Sequence, residues 1–122
     1  MPLFNRNHVD KILEQLPRNK NVMESDINTI KDPNSKESYV LRDLRQFRNE
    51  PTKRILDTIL DVLKSESRPN TQRVIAAEVL GWYNMYYDKA SIVSSLKEIT
   101  TNDEALMNEI QKTISRLEGK NR

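Results

Sequence analysis

The side chains that most often carry out chemistry in proteins are scarce in this 122-residue chain. His8 is the single histidine, and the chain contains no cysteine. Disulfides, thiolate metal ligands and a cysteine nucleophile are therefore excluded, and metal binding or nucleophilic catalysis would need an all-carboxylate arrangement or an unusual base. We interpret His8, which lies beside a candidate N-cap, as a surface residue. Gly81 and Gly119 are isolated glycines, so no glycine-rich loop can enclose a phosphate.

Two carboxylates, Asp57 and Asp61, lie one helical turn apart in a predicted helix. Paired acids can act as acid and base when a pocket separates their pKa values. Here they lie on a charged stretch beside Leu56 and Leu60, which is typical of a solvated helix face. We therefore predict a non-enzymatic protein with no catalytic residues, no metal site and no cofactor.

Aromatic residues suited to binding are concentrated in one short stretch. Trp82, Tyr83, Tyr86 and Tyr87 are four of the seven aromatic residues in the chain. In a helix, Trp82 and Tyr86 would form one stripe and Tyr83 and Tyr87 a second, and both stripes cannot face the same core. We place Trp82 and Tyr86 inside, which leaves Tyr83 and Tyr87 as candidate anchors for a partner protein.

A basic stripe provides a second candidate binding feature. Arg42, Arg45 and Arg48 follow one another at a spacing of three residues, and we call them the arginine stripe. Such a stripe could contact an acidic protein surface or phosphates. Asp43 and Glu50 balance it locally, and the net charge of +2 falls short of the basic excess of a dedicated nucleic-acid binder. The sequence therefore favours a protein partner over nucleic acid.

The elements that position these residues are predicted to be helices. Apolar residues make up 36% of the chain and recur every three or four positions, and two glycines are too few for an all-β protein with many hairpins. A short helix is predicted around Ile27 and Ile30. The other predicted helices cover residues 7–16, 37–48, 51–65, 70–86, 89–99 and 102–117.

Several residues mark where the helices begin and end. Pro69 suits the first turn of a helix, and Asn70 suits an N-cap. Thr101 with Glu104 matches a capping box, in which a hydroxyl and a carboxylate satisfy backbone N–H groups at the helix entrance. Gly119 suits the left-handed position just past a C-terminus.

The helices contain an internal repeat. A repeat of this kind indicates helix pairs that bury their apolar faces by stacking on copies of themselves. The short connection before residue 89 predicts that helices 70–86 and 89–99 pack as an antiparallel pair. The apolar positions that recur 37 residues apart are Ile55 with Ile92, Leu56 with Val93, Ile59 with Leu96 and Val62 with Ile99.

The stretch 70–99 resembles a HEAT-like repeat of the kind also found in phycobilin lyases. An arginine begins the first helix, an alanine pair and a Leu-Gly follow along it, and spaced aliphatic residues occupy the second helix. The resemblance implies a short α-solenoid of stacked antiparallel helix pairs that serves as a scaffold; residues 1–36 do not match it. The matching positions are Arg73, Ala76, Ala77, Leu80, Gly81, Ile92, Val93 and Leu96.

These observations predict one all-α domain over 1–122 with about five to six helices. It comprises a less regular part at 1–36, HEAT-like helix pairs at 37–117 and a tail at 118–122. No apolar run approaches the roughly 18 residues of a membrane span, and the first residues lack the pattern of a signal peptide, so we expect a soluble chain with a slight lean to the cytoplasm.

The predicted function is a non-catalytic protein–protein interaction or scaffolding module. It would be either a small adaptor or an accessory or terminal repeat block of a larger protein. Two alternatives stay open: a nucleic-acid-binding HEAT-like domain that uses the arginine stripe, and a small inhibitor or immunity-type protein. The identity of the partner and the oligomeric state are not indicated by the sequence.

Overall fold

The computed structural model describes residues 23–49 and 52–119, and in these ranges every regular element is a helix. This confirms the all-α class, with six α-helices in the described ranges. The predicted helix at 7–16 and His8 lie outside the described residues. The described helices are α1 at 23–31, α2 at Glu37–Gln46, a 3₁₀ turn at Phe47–Asn49, α3 at Lys53–Lys64, α4 at Asn70–Leu80, α5 at Lys89–Lys97 and α6 at Glu104–Leu117.

One hydrophobic core joins all six helices, because each of them contributes apolar side chains at helical spacing. The short helix predicted around Ile27 and Ile30 is present as α1, and both side chains are buried. None of the described helices has the length and apolar character needed to cross a membrane. Fully buried representatives of the six helices, in chain order, are Ile27, Leu44, Ile59, Leu80, Leu96 and Leu106.

Helix α4 occupies the centre of the fold. It packs against α2, α3 and α6, whereas α5 packs mainly against α6. The prediction that α4 and α5 pack as an antiparallel pair is therefore wrong, because these two helices make little contact; the close pairs that adjoin in sequence are α3 with α4 and α5 with α6. Their connections, 65–69 and 98–103, are shorter than the connection 81–88 between α4 and α5. The described helices form a small helical bundle or solenoid.

Helix α4 ends at Leu80, six residues before its predicted end. The next N–H groups bond three residues back rather than four, since Gly81 N–H donates to Glu78 O at 3.0 Å and Tyr83 N–H donates to Leu80 O at 3.0 Å. A side chain on Gly81 would meet Arg116 of α6, whose Nη1 lies 3.2 Å from the position of an added Cβ. Gly81 therefore permits a close approach by α6, and it lies just past the end of α4 rather than within the predicted helix 70–86.

The N-terminal caps also differ in part from the prediction. Pro69 is the N-cap of α4, and Asn70 is its first helical residue, whose amide donates to Asp103 Oδ2 at 3.0 Å. The capping box beginning at Thr101 is not formed. Asp103 caps α6 instead, because its Oδ1 accepts from Leu106 N–H at 2.8 Å, while Thr101 Oγ1 accepts from Asp103 N–H at 3.1 Å.

Two arginines satisfy carbonyl groups at the ends of preceding helices. Arg73 Nε donates to Leu63 O in the last turn of α3 at 2.8 Å, and Arg68 Nη2 donates to Ile30 O in the last turn of α1 at 2.7 Å. The last carbonyls of a helix have no partner within it and carry a partial negative charge, so a guanidinium stabilises them. These bonds fix the N-terminal end of α4 relative to α1 and α3.

Candidate interaction surface

The connection between α4 and α5 displays large apolar side chains to solvent. Trp82 is 53% exposed, Met85 90% and Tyr87 86%. Arg48 lies beside them, with its guanidinium carbon 5.4 Å from the centroid of a Trp82 ring. We call Arg48, Trp82, Met85 and Tyr87 the loop surface. Tyr39 on α2 is the other large apolar residue that is strongly exposed among the described residues.

Tyr83 anchors this connection in the core. Its side chain is 1% exposed, and its hydroxyl donates to Phe47 O at 3.3 Å. The Tyr86 ring lies 6.0 Å from the Tyr83 ring and 4.7 Å from the Tyr87 ring, measured between centroids. The exposed Tyr87 is thus connected to the core through a chain of ring contacts, so the loop surface is held on a structured support.

The Tyr86 hydroxyl has a shifted ionisation. Partial burial raises the pKa of Tyr86, and the neighbouring Tyr87 hydroxyl and Asp88 carboxylate act in the same direction. The neutral phenol is therefore favoured at Tyr86, beside the loop surface.

The arginine stripe does not form one continuous cationic surface. Arg42 Nε donates to Asp43 Oδ1 at 2.9 Å, and this hydrogen bond with the nearby charge raises the pKa of Arg42. Arg48 stacks on Trp82 instead. Arg45 lies between them, exposed and without an ion pair in the described ranges. Two of the three guanidinium groups thus already contact other side chains, and Arg48 forms part of the loop surface through its contact with Trp82.

The structure corrects two of the aromatic predictions. Tyr83, predicted to be an exposed anchor, is buried, and Trp82, predicted to be inside, is more than half exposed. Both errors have one cause: α4 ends at Leu80, so the helical spacing that defined the two stripes does not continue through the aromatic residues. Tyr87 is exposed as predicted. Met85 was missed, although its place within the aromatic stretch was a signal for it.

The carboxylates do not assemble into a reactive site. Asp57 is exposed and accepts from Lys53 Nζ at 3.3 Å, and Asp61 is exposed as predicted. Within residues 23–49 and 52–119, no group of three or more histidine, cysteine, aspartate or glutamate residues could hold a metal ion. Asp43 is a buried carboxylate whose Oδ2 has no hydrogen-bond partner in this part of the chain.

Comparison of the chain with protein-family models, with curated proteins and with solved structures finds no significant match. The HEAT-like resemblance therefore stays a prediction within the observed helical fold.

Proposed function

We propose that the chain is a non-catalytic protein-interaction module that binds a partner protein through the loop surface. The observation that carries this proposal is the exposure of Trp82, Met85 and Tyr87 on one connection whose base is anchored by buried Tyr83. Contiguous exposed apolar patches are uncommon on monomeric proteins and mark interaction sites. Tryptophan, tyrosine and arginine are also the residue types that most often dominate interface energies.

The area involved suits the centre of an interface. Fully burying the three apolar side chains would remove roughly 400 Å² from water, since an aromatic side chain buries about 150–250 Å². At about 25 cal/mol per Å², this is a gross gain on the order of 10 kcal/mol, before the cost of association. A standard interface buries about 800 Å² on each partner. The loop surface would therefore supply about half of one side, and neighbouring polar residues would form the rim.

The support beneath the loop surface favours tight binding. Ring contacts from Tyr83 to Tyr87 and the stacking of Arg48 on Trp82 restrict these side chains before a partner arrives. Less conformational entropy is then lost on binding. Met85 adds a flexible apolar side chain that can adapt to the shape of the partner.

We further propose that the helices are arranged as a HEAT-like scaffold. Most equivalent positions of the internal repeat have similar burial: Ile55 and Ile92 are 0% and 1% exposed, and Ile59 and Leu96 are 0% and 1% exposed, whereas Val62 is buried and Ile99 is only partly buried. On this proposal, the chain is an adaptor or an accessory or terminal repeat block of a larger protein. A small inhibitor would be a special case in which the partner is an enzyme.

Binding of nucleic acid through the arginine stripe has less support. Arg42 is paired with Asp43, Arg48 stacks on Trp82, and the net charge of the chain is only +2. A polyanion would need several cations that are free to neutralise phosphates.

Site-specific crosslinking tests the proposed function. A photoreactive amino acid placed at Met85 should capture one discrete partner in the native cell, whereas the same amino acid at Ser94, exposed on α5, should not. After the partner is purified, Trp82→Ala and Tyr87→Ala should each weaken its binding by about tenfold or more, as expected for anchors of an interface.

Tyr39→Ala is the matched control, because Tyr39 is exposed and also contacts a guanidinium, that of Arg42, at 5.1 Å, but lies outside the loop surface. It should change the affinity by less than about twofold. Equal losses in Tyr39→Ala and Trp82→Ala would refute the assignment of the surface. Capture of nucleic acid at Met85 would favour the alternative function.

A further inference from the structure

A polar cleft lies at the opposite end of α4 from the loop surface. Two adjoining hollows of about 240 Å³ and 350 Å³ open there, between the α3–α4 and α5–α6 connections. Both are lined by Glu66, Arg73 and Thr100. The first hollow is also lined by Lys64, Ser95, Glu98 and Ile99, and the second by Thr101 and Asn102. We call this the Arg73 cleft.

Arg73 lines the cleft with four of its five N–H donors unused in the described part of the chain. The residue is only 5% exposed, and its Nε is bonded to Leu63 O at 2.8 Å. Neither Nη1 nor Nη2 has a hydrogen-bond partner in the described part of the chain, and neither is among its unpaired buried atoms. Both nitrogens are therefore open to the cleft that the residue lines. Their donors face solvent in the unliganded chain and are available to a ligand.

Arg68, in the same fold, has both of its terminal nitrogens bonded to protein oxygens. Its Nη1 donates to Gln72 Oε1 at 2.9 Å and its Nη2 donates to Ile30 O at 2.7 Å. Both terminal nitrogens are thus occupied by protein oxygens. Arg68 and Arg73 both satisfy the end of a preceding helix, and Arg73 alone of the two keeps a free pair of terminal nitrogens.

We propose that the Arg73 cleft binds a single carboxylate group of a peptide-type ligand. The planar pair Nη1 and Nη2 matches the two oxygens of a carboxylate in a bidentate contact. The hydroxyl groups of Ser95 and Thr100 and the amide of Asn102 provide further donors on the walls.

The charges around the cleft select against ligands with more negative charge. Lys64 and Arg73 are balanced by Glu66 and Glu98, and the partial negative charge at the C-terminal ends of α3 and α5 is opposed by the partial positive charge at the N-terminal ends of α4 and α6. A phosphate dianion would meet repulsion from the two glutamates, whereas one carboxylate would be held by the guanidinium. The two glutamates would suit an ammonium or amide group elsewhere on the same ligand.

This site is independent of the loop surface. Arg73 lies in the first turn of α4 and Trp82 follows its last residue, which is a separation of about 14 Å along the helix axis at 1.5 Å per residue. A negative result at one site therefore does not count against the proposal for the other site.

An NMR titration of the full chain with acetate tests the proposal. Sodium acetate would replace sodium chloride at constant ionic strength and pH 7, with the backbone amides and the arginine Nε–H signals observed together. We expect saturable shifts at Arg73 and at Thr100, Thr101 and Asn102, with half-saturation at about 10 mM for so small a ligand. The Arg68 signal is the internal control and should not saturate.

Two variants separate binding from folding. Arg73→Lys keeps the positive charge but loses the planar pair of nitrogens, and it should weaken acetate binding by at least about fivefold. Lys64→Gln leaves the bond from Arg73 to Leu63 untouched and should weaken binding about twofold through the loss of a nearby charge. Arg68→Lys is the matched control and should bind acetate as the parent chain does. If Arg73→Lys fails to fold, the acetate titrations of the parent chain and of Lys64→Gln still test the site.

Two further ligands distinguish the sources of the carboxylate. N-acetylglycine presents the α-carboxylate of a chain terminus, and N-acetyl-aspartic acid amide presents a side-chain carboxylate; the tighter of the two identifies the natural group. Shifts at Arg73 that grow linearly without saturation, or equal saturation at Arg68, would overturn the site. Phosphate binding as tight as acetate binding would overturn the assignment of a carboxylate.

Discussion

Removing one buried hydroxyl from α6 should weaken both the fold and the support of the loop surface. Thr113 is 0% exposed, and its Oγ1 donates to Ala77 O of α4 at 2.7 Å. In a continued helix the Gly81 N–H would serve this carbonyl, but it bonds to Glu78 O instead. Thr113 therefore satisfies a carbonyl at the end of α4 that the helix itself has released.

The structure gives the size of the effect in Thr113→Val. Valine has nearly the shape of threonine, so the change removes the hydrogen bond without opening a cavity. The lost bond costs about 1 kcal/mol, and an unpaired buried carbonyl adds up to about 2 kcal/mol, partly offset by the more apolar valine. We expect a net loss of about 2 kcal/mol in the free energy of unfolding. For a domain of this size, the melting temperature should fall by roughly 6–12 °C.

Urea denaturation followed by circular dichroism measures this loss as a lower midpoint with an unchanged slope. Thr113→Ser is the control: it keeps the hydroxyl and loses one methyl group, which should cost only about 1 kcal/mol. Hydrogen exchange should also quicken in residues 81–88, because the last turn of α4 loses a tie to α6. A valine variant as stable as the parent, or a serine variant that loses as much as valine, would refute the reasoning.

Three other outcomes follow from the same structure. Ala77→Leu should destabilise the fold by about 1–3 kcal/mol, since Ala77 is 0% exposed and added carbons would overpack the contact with α6; an unchanged denaturation midpoint would contradict this. The raised pKa of Tyr86 means that the folded state binds more protons than the unfolded state from about pH 10 upward, so stability should fall there, and less steeply in Tyr86→Phe; equal slopes in thermal melts between pH 9 and 11 would contradict it. Duplex DNA should bind no tighter than about 10⁻⁴ M near physiological salt; micromolar, salt-sensitive binding that is lost when the arginine stripe is changed to alanine would contradict the preference for a protein partner.

The helices were predictable wherever the apolar period was strong and the stop signals were local. In α3, Ile55, Ile59 and Val62 repeat at helical spacing, and all three are at most 1% exposed. The other predicted helices in the described ranges, except 70–86, agree with the structure within about two residues at each end. Gly119 adopts φ of +73° just past α6, as its lack of a side chain predicts.

The end of α4 was not predictable from local pattern, because apolar residues continue at helical spacing past Leu80. The stop depends on tertiary contacts instead: Tyr83 turns into the core to reach Phe47, and Gly81 lets Arg116 of α6 approach. Neither contact can be read from the local sequence, because the two residues of each contact are far apart along the chain. The choice of cap on α6 is similar, since Thr101 and Asp103 are both good candidates; Asp103, which forms the cap, also accepts from Asn70 of a different helix.

These long-range contacts also explain which parts of the candidate site were found. Tyr87 was identified because aromatic residues crowd into one stretch, and Arg48 because it belongs to a basic stripe. Their juxtaposition with Trp82 depends on Phe47 and Tyr83 holding two distant segments together. The Arg73 cleft depends even more strongly on long-range contacts. Its walls come from residues 64–66 and 95–102, which meet only because α3 packs against α4 and α5 packs against α6.

Helix α4 connects the two candidate sites physically, but its packing argues against communication between them. Ala76, Ala77 and Leu80 are completely buried along its length, and three other helices pack around it. A shift of α4 large enough to transmit binding would open or overfill these contacts, and closely packed cores resist such changes. Coupling between sites requires two arrangements that each ligand stabilises differently. The arrangement of α4 instead suits a rigid support that presents an apolar surface at one end and a carboxylate-binding cleft at the other, so that one partner could occupy either site without altering the other.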